Sequence, residues 1–320
     1  MHKCINEKLP NDVFHILKSA KSYFLIFFLL FNYSTSLAQS PTIDEQWWSD
    51  LVGWDGISHW SEYQIHSPGF LGPNALPVPE VTDGRINNVS SLTTGGQFHF
   101  SEGDNTQNLT LRFNYNFLKD IISVDVFFVP VEFFQMSHAK KEERNVHYRF
   151  YDVSNATGDL YIHTNFSLLR QEKNNVDLAV RIGLKTASGG NANPARFTDT
   201  PGYYFDVSIG KSIGSKNNIR PYAMLGFYSW ETNDDILPQN DAILYGLGLE
   251  YAFGNHTIKN ELAGYSGYKN NGDKPIVYRL KFSKSFERFV LGAKYQHGLH
   301  DFKYKTFEVN LGYKFGTEKN

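Results

Sequence analysis

Two short motifs place side chains at spacings that recur in catalytic sites. The run Gly210-Lys211-Ser212-Ile213-Gly214 matches the Gly-x-Ser-x-Gly pattern of a serine nucleophile, which requires a sharp turn from a strand into a helix. Here the five residues end one predicted strand and lead through a short turn into another, so a chance match is the better interpretation. A phosphate-binding loop ending in Gly-Lys-Ser needs an earlier glycine where this chain has Phe205.

Two arrangements of histidine residues could form further sites. His297, His300 and Asp301 have side chains that bind metals, but no third ligand spacing is apparent, and a solvated loop explains them better. His163 and Ser167 share the polar face of one predicted strand, as a membrane-embedded hydrolase would require. Any polar strand face produces such pairs by chance. The hydrolase stays as an alternative, and we assign no catalytic residue, metal or cofactor.

A larger set of polar residues lies on the faces of predicted strands opposite the apolar residues. If the strands form a membrane barrel, these side chains point into its lumen. They either pair across the barrel and fill it, or line a wet path of weak selectivity; we favour the path. The predicted lumen-lining residues are Arg112, Asp125, Arg149, Asp159, His163, Arg181, Lys185, Asp206, Glu250, Arg279, Lys281 and Lys294.

The elements that would position these residues are long alternating strands. In 158–185, Leu160, Ile162, Phe166 and Leu168 alternate with polar residues, and the same period of two resumes at Val176 after a short turn. Alternation of this kind indicates a β-hairpin. Each arm has about ten residues, the length that a strand needs to cross a bilayer.

The connections between predicted strands alternate between short and long. Short turns on one side and long loops on the other are typical of outer-membrane barrels. We therefore predict an all-β fold, a transmembrane antiparallel up-and-down barrel of about 12 strands (range 10–14) starting near Gln107. Upstream of Gly158 the alternation of loop lengths is lost. Interfacial aromatic residues are predicted at the short-turn end (Tyr251, Phe253, Tyr313, Phe315) and at the outer end (Tyr203, Tyr228, Trp230, Tyr265).

The region before the barrel divides into two parts. Residues 1–38 have the charged, apolar and small-x-small segments of a signal peptide cleaved near Ala38, and they contain Cys4, the one cysteine of the sequence. Residues 39–95 form an irregular extension rich in proline and in tryptophan (Trp47, Trp48, Trp54, Trp60). The simpler interpretation is a periplasmic lead-in packed against the barrel end; the alternative is a plug whose tryptophans contact the lumen wall. The barrel would occupy 96–320.

The hairpin region resembles a known family. Gly158-Asp159-Leu160 opens a strand, Leu184-Lys185-Thr186 leads to a Gly-rich loop, and a strand resumes at Gly202. Similar features occur in outer-membrane barrels of the transporter or phenol-degradation meta-pathway type. The resemblance covers roughly 158–251 and implies passage of small, often hydrophobic compounds, with no catalytic residue to transfer.

These observations predict a channel or uptake barrel for small molecules in the outer membrane of a Gram-negative bacterium. A closed structural or surface-interaction barrel is the alternative, and the hydrolase is the second. The expected partners are membrane lipid and a small solute. A net charge of −2 gives no reason to expect nucleic acid, and the sequence does not indicate an oligomeric state.

Overall fold

The computed structural model of this chain describes residues 45–147, 152–190, 195–196, 201–214, 218–234 and 236–315. The predicted signal peptide lies outside them. The helices are α1 (Glu45–Val52), a 3-10 turn (Trp60–Tyr63), α2 (His138–Glu143) and α3 (Gln171–Asn174). The strands are β1 (Ser90–Ser101), β2 (Asp104–Leu118), β3 (Ile122–Met136), β4 (Val153–Ala156), β5 (Tyr161–Leu169), β6 (Asp177–Lys185), β7 (Gly202–Gly210), β8 (Ile219–Glu231), β9 (Gln239–Phe253), β10 (His256–Gly267), β11 (Ile276–Ser285), β12 (Phe289–His300) and β13 (Lys305–Phe315).

Twelve of these strands close into a barrel. Each strand pairs antiparallel with its neighbours, and the first and last strands join, with Ser90 opposite Phe315. The short β4 is an additional strand that pairs with the end of β3, from Glu132 to Gln135. Pairing in a closed ring leaves no free edge. The prediction of an all-β antiparallel barrel with about twelve wall strands is confirmed.

The two faces of the wall differ sharply in polarity. In β7, Tyr203, Phe205, Val207 and Ile209 are 44–50 % exposed on the outside, whereas the residues between them are buried. The other wall strands continue this apolar exterior. A contiguous apolar surface of that extent requires lipid rather than water, so the fold is a transmembrane β-barrel. Among the described residues, no helix is long and apolar enough to cross a membrane.

The barrel has two distinct ends. At one end, which we name the turn end, connections such as 254–255 and 286–288 are short. At the opposite end, the loop end, the connections 137–160 and 186–201 are long. Upstream of Gly158, the short connection 119–121 belongs to the turn end and the long connection containing 138–143 to the loop end, whereas the two-residue connection between β1 and β2 is a short one at the loop end.

The first half of the wall differs from the prediction in two places, but these two differences leave the expected number of wall strands unchanged. The wall begins with β1 at Ser90, not near Gln107, and the proposed boundary at residue 96 falls inside this strand. Gly96 occupies an outward position where an apolar residue was expected, so the alternation is hidden. The alternation of 146–150 also predicts a strand; its two described residues, Val146 and His147, are buried outside any strand. Arg149 lies outside the described residues.

Three aromatic residues predicted at the outer membrane interface lie inside the barrel instead. Tyr228, Trp230 and Tyr265 are at most 1 % exposed. Their rings pack together, with centroids 5.2–5.4 Å apart. Only Tyr203 of the predicted outer set faces outward. The prediction was wrong because an aromatic residue suits an interface and a packed interior equally well.

Candidate functional site

The lumen contains a continuous stretch of the chain itself. Residues 64–85, which we name the inner segment, run from the loop end to the turn end and then lead into β1. At the loop end, Gly69 N donates to Gly272 O over 2.9 Å, and Gly72 N donates to Ala195 O over 2.7 Å. Trp230 Nε1 donates to His66 O over 3.2 Å.

In the middle of the barrel, the wall donates hydrogen bonds to the backbone carbonyls of the inner segment. Tyr161 Oη donates to Ala75 O over 3.2 Å, and Tyr265 Oη donates to Leu76 O over 2.8 Å. Arg279 donates to Val78 O over 2.5 Å and to the carbonyl of the next proline over 3.0 Å. Prolines lack an N–H and cannot donate a hydrogen bond to a neighbouring strand. A proline-rich stretch therefore presents mainly acceptors, and this wall supplies the donors.

At the turn end, the inner segment crosses the wall at close range. Gly84 N donates to Ser208 Oγ over 3.1 Å, and Arg220 Nη2 donates to Asp83 O over 2.7 Å. A Cβ at Gly210 would overlap the carbonyl oxygen of Asp83. Gly210 therefore serves close backbone approach, consistent with our rejection of the nucleophile motif. Ser212 forms backbone hydrogen bonds with the Gln171 side chain at this end.

Acidic residues of the inner segment pair with lysines of the wall. Glu80 contacts Lys281 and also Lys294, the latter at 3.3 Å. Asp83 Oδ2 lies 3.0 Å from Lys259 Nζ. The same segment also contributes a cation, because Arg85 contacts Glu250 at 2.9 Å. These pairs hold the inner segment to the wall from β9 to β12.

The loop end is closed by a buried ionic cluster. Arg196, from the loop between β6 and β7, contacts Asp104 and lies 2.8 Å from Glu132. Arg144 lies 2.6 Å from the same Asp104 carboxylate. Tyr304 Oη donates to it over 2.6 Å. All five residues are at most 2 % exposed. The charges are paired and hydrogen-bonded, which buried ions require.

A chain of hydrogen bonds faces the lumen on β3, β5 and β7. Asp125 Oδ1 lies 2.7 Å from His163 Nδ1, and His163 Nε2 lies 2.6 Å from Tyr204 Oη. Arg112 also contacts Asp125, at 2.9 Å. Among the described residues, no hydrogen bond joins His163 to Ser167. The histidine and serine of the hydrolase alternative are therefore not assembled as a pair.

Ten of the eleven described lumen candidates lie on the inner face of wall strands, and Asp159 is buried in the connection just before β5. Two further pairs involve them: Arg181 Nε lies 2.7 Å from Asp206, and Lys185 lies 2.7 Å from Asp159. These four residues are at most 5 % exposed. Most charges of the set are thus paired with opposite charges, whereas Arg279 donates to uncharged oxygens.

The four tryptophans lie at the loop end, away from the lumen wall that the plug alternative assigned to them. Trp48 is buried, with its ring 4.6 Å from His147. Trp47 Nε1 donates to Glu142 of α2 over 2.8 Å. Trp54 and Trp60 pack beside Trp48 and His147, respectively. The tryptophans therefore fix the start of the extension to the connection between β3 and β5.

A cavity of about 420 Å³ remains beside the inner segment. Its walls come mainly from β1, β2 and β11–β13 together with residues 73–80. The side chains of Arg112 and Glu80 are 38 % and 31 % exposed. Toward the loop end, His99 and Thr306 are buried and hydrogen-bonded to each other. The accessible part of the lumen therefore lies toward the turn end.

Sequence reasoning missed the residues that close the lumen. Glu80 and Asp83 were part of an extension without periodicity. Arg196 lies in a predicted loop. Tyr204 lies on the face of a predicted strand from which only the charged residues were selected as lumen candidates. The available signal was the presence of two acidic residues, Glu80 and Asp83, directly after a proline-rich stretch, which does not identify their lysine partners.

Fold and lumen together define a class: a twelve-stranded transmembrane β-barrel with an internal segment. An outer membrane channel from Pseudomonas putida F1 superimposes with a TM-score of 0.51 at 11% identity, covering 74% of this chain and 100% of that one. The NanC porin gives a TM-score of 0.46 at 9% identity, covering 70% and 100%. The CymD monoaromatic hydrocarbon channel gives 0.41 at 7% identity, covering 72% and 90%. No family model and no curated protein sequence matches this chain.

Proposed function

We propose that this protein is an outer-membrane channel for small solutes, closed by its inner segment. One observation carries the proposal: residues 64–85 occupy the lumen from end to end and leave a cavity of about 420 Å³ at their side. A barrel of about twelve strands is too wide for its own side chains to fill. The inner segment fills the remaining space, and its displacement would open a path along the polar wall.

The attachment of the inner segment is suited to displacement. It forms no strand with the wall; side chains hold it through hydrogen bonds and through the ion pairs of Glu80 and Asp83. Such contacts break individually, whereas the backbone ladders of the wall remain intact. Similarity to the Pseudomonas putida channel supports the fold, and the proposed transport rests on the lumen.

A charge-neutralised full-length protein tests the proposal. In E80Q/D83N, the lysines of the wall lose their ionic contacts with the inner segment, so we expect more frequent openings in planar bilayers than for wild type. The matched control is E102Q, which neutralises an exposed carboxylate between β1 and β2. A heat-modifiable band on gels would establish that each variant is folded. Folded E80Q/D83N without any conductance would contradict the proposal.

A closed structural barrel is the second candidate. The buried cluster of Asp104, Glu132, Arg144 and Arg196 favours it, because complete pairing at the loop end resembles a permanent seal. The same bilayer recordings separate the two candidates. A structural barrel stays silent in every folded variant, whereas a closed channel opens when the inner segment is released.

A further inference from the structure

Three lysines form a continuous row on the inner face of the wall. Lys259 on β10 lies directly opposite Lys281 on β11, and Lys281 lies directly opposite Lys294 on β12. We name these residues the lysine row. Like charges directly opposite each other destabilise a sheet, so this arrangement requires anionic groups at the lumen side.

Each lysine of the row contacts two carboxylates, one from the wall and one from the inner segment. Glu250 lies 2.8 Å from Lys259. The other wall carboxylates complete the set: Glu261 lies 2.7 Å from Lys281, and Glu308 lies 2.6 Å from Lys294. From the inner segment, Asp83 contacts the first lysine and Glu80 contacts the other two. Glu80 therefore occupies the position of an anion bound between two ammonium groups.

The surface of the cavity beside Glu80 is formed by more cationic than anionic side chains, although carboxylates behind the surface, such as Asp125 and Glu261, pair with several of these cations. Its lining includes six cationic side chains (Arg112, Arg181, Lys259, Arg279, Lys281, Lys294) and two carboxylates (Glu80, Glu308). Arg279 donates to carbonyl and amide oxygens only. Arg112 uses one guanidinium nitrogen for Asp125, and within the described residues no other hydrogen bond of this side chain is present. Donors are therefore available to an incoming anion.

The same cavity has aromatic surface. Phe127, Tyr161, Tyr204 and Phe302 line it together with the cations. Pockets for small ligands combine mostly apolar walls with a few converging polar groups, at volumes of roughly 300–1,000 Å³. A cavity of about 420 Å³ has room for a ring that carries one carboxylate.

We propose that this cavity binds small aromatic carboxylates, held by Lys281, Lys294 and Arg112, and that the Glu80 carboxylate is the resident competitor for the two lysines. A bound solute replaces Glu80 and so loosens the inner segment from the wall. The inference rests on the proposed function, because solutes reach the cavity only if the barrel admits them. It adds the solute class and a way to couple binding to opening.

Calorimetric titration of the folded, full-length protein with benzoate tests this site without depending on conduction. We expect benzoate to bind wild type, and benzamide, which has the same ring without the charge, to bind at least about tenfold more weakly. K294Q should also weaken the binding of benzoate by at least about tenfold. K173Q is the matched control, because Lys173 is exposed on α3, and it should leave benzoate binding unchanged.

The expected effect of E80Q on benzoate binding is opposite to that of K294Q. A variant that had merely lost its structure would not bind benzoate more tightly. Removal of the competing carboxylate should tighten benzoate binding several-fold. Equal binding of benzamide and benzoate, or an unchanged or weaker affinity in folded E80Q, would overturn the inference. Conductance in released variants without benzoate binding would overturn only the solute class, whereas benzoate binding without conductance in any variant would overturn only the proposed channel.

Discussion

The backbone of Asp83 rests directly against Gly210, so that any side chain at position 210 would overlap the Asp83 carbonyl oxygen. The inner segment and the wall are therefore fitted closely to each other at the turn end, and the absence of a Cβ at Gly210 is one condition of this fit. The contact lies where the inner segment leaves the lumen on its way to β1.

We expect G210A to weaken the contact between the inner segment and the wall at the turn end, while the wall remains folded. Because the new methyl group displaces Asp83, Arg85 beside it should become more accessible, and limited trypsin digestion of the solubilised protein should cut there faster. G190A is the matched control, since a Cβ at Gly190 has its nearest neighbour at 3.8 Å. Equal digestion of G210A and wild type would show that this contact does not hold the inner segment against the wall.

Removal of Arg196 should be strongly destabilising. R196Q leaves the carboxylates of Asp104 and Glu132 buried with fewer partners, and breaking a buried pair in this way costs about 3–5 kcal/mol. K303Q is the control: its partly exposed pair with Glu143 should be worth about 1 kcal/mol or less. Urea unfolding in vesicles measures both. Similar losses for the two variants would contradict the buried role of Arg196.

A charged residue on the outer face of β9 should destabilise the barrel. Leu247 is 62 % exposed at the middle of this strand, opposite Leu262, so it faces the lipid. L247R should destabilise the barrel by about 2–4 kcal/mol, as expected for arginine at the bilayer midplane. I236R, in the exposed loop between β8 and β9, should be nearly neutral in the same unfolding measurement. A neutral L247R would place this surface outside the membrane.

Closure should persist in mild acid. The Glu80 carboxylate is paired with Lys281 and Lys294, and the Asp83 carboxylate with Lys259 and Arg85. Ion pairs of this kind stabilise the folded protein while the carboxylates are ionised, above their unfolded pKa of about 4, and the stabilisation is lost when stronger acid protonates them.

Bilayer recordings of wild type should therefore show no increase in opening between pH 7 and pH 5, and release only in stronger acid. E80Q/D83N lacks both carboxylates and should show no such acid-dependent step. Opening of wild type already between pH 7 and pH 5 would mean that another group controls the segment.

The wall was largely predictable from sequence because alternation over ten residues is a local signal. Leu168, an apolar member of the predicted alternation, is 56 % exposed on the outer face, as that alternation predicts. β1 was missed since Gly95 and Gly96 interrupt the apolar pattern, and the extra strand expected at 146–150 reversed the assignment of turns upstream of Gly158.

The contents of the lumen were less predictable, for a physical reason. The inner segment is extended and rich in proline, so it has no period that indicates burial, and its partners are distant in sequence: Glu80 and Lys281 are 201 residues apart. The inward direction of Lys281 followed from its strand, but the identity of its counter-ion required the three-dimensional arrangement.

A reversible cross-link tests most directly whether the inner segment closes the channel. A Cβ at Gly246 would lie 2.8 Å from Val81 Cγ2, within reach of a disulfide. In the E80Q/D83N background, V81C/G246C should be silent in bilayers when oxidised and should open after reduction. Openings of equal size and frequency in the oxidised, cross-linked protein would contradict closure by the inner segment.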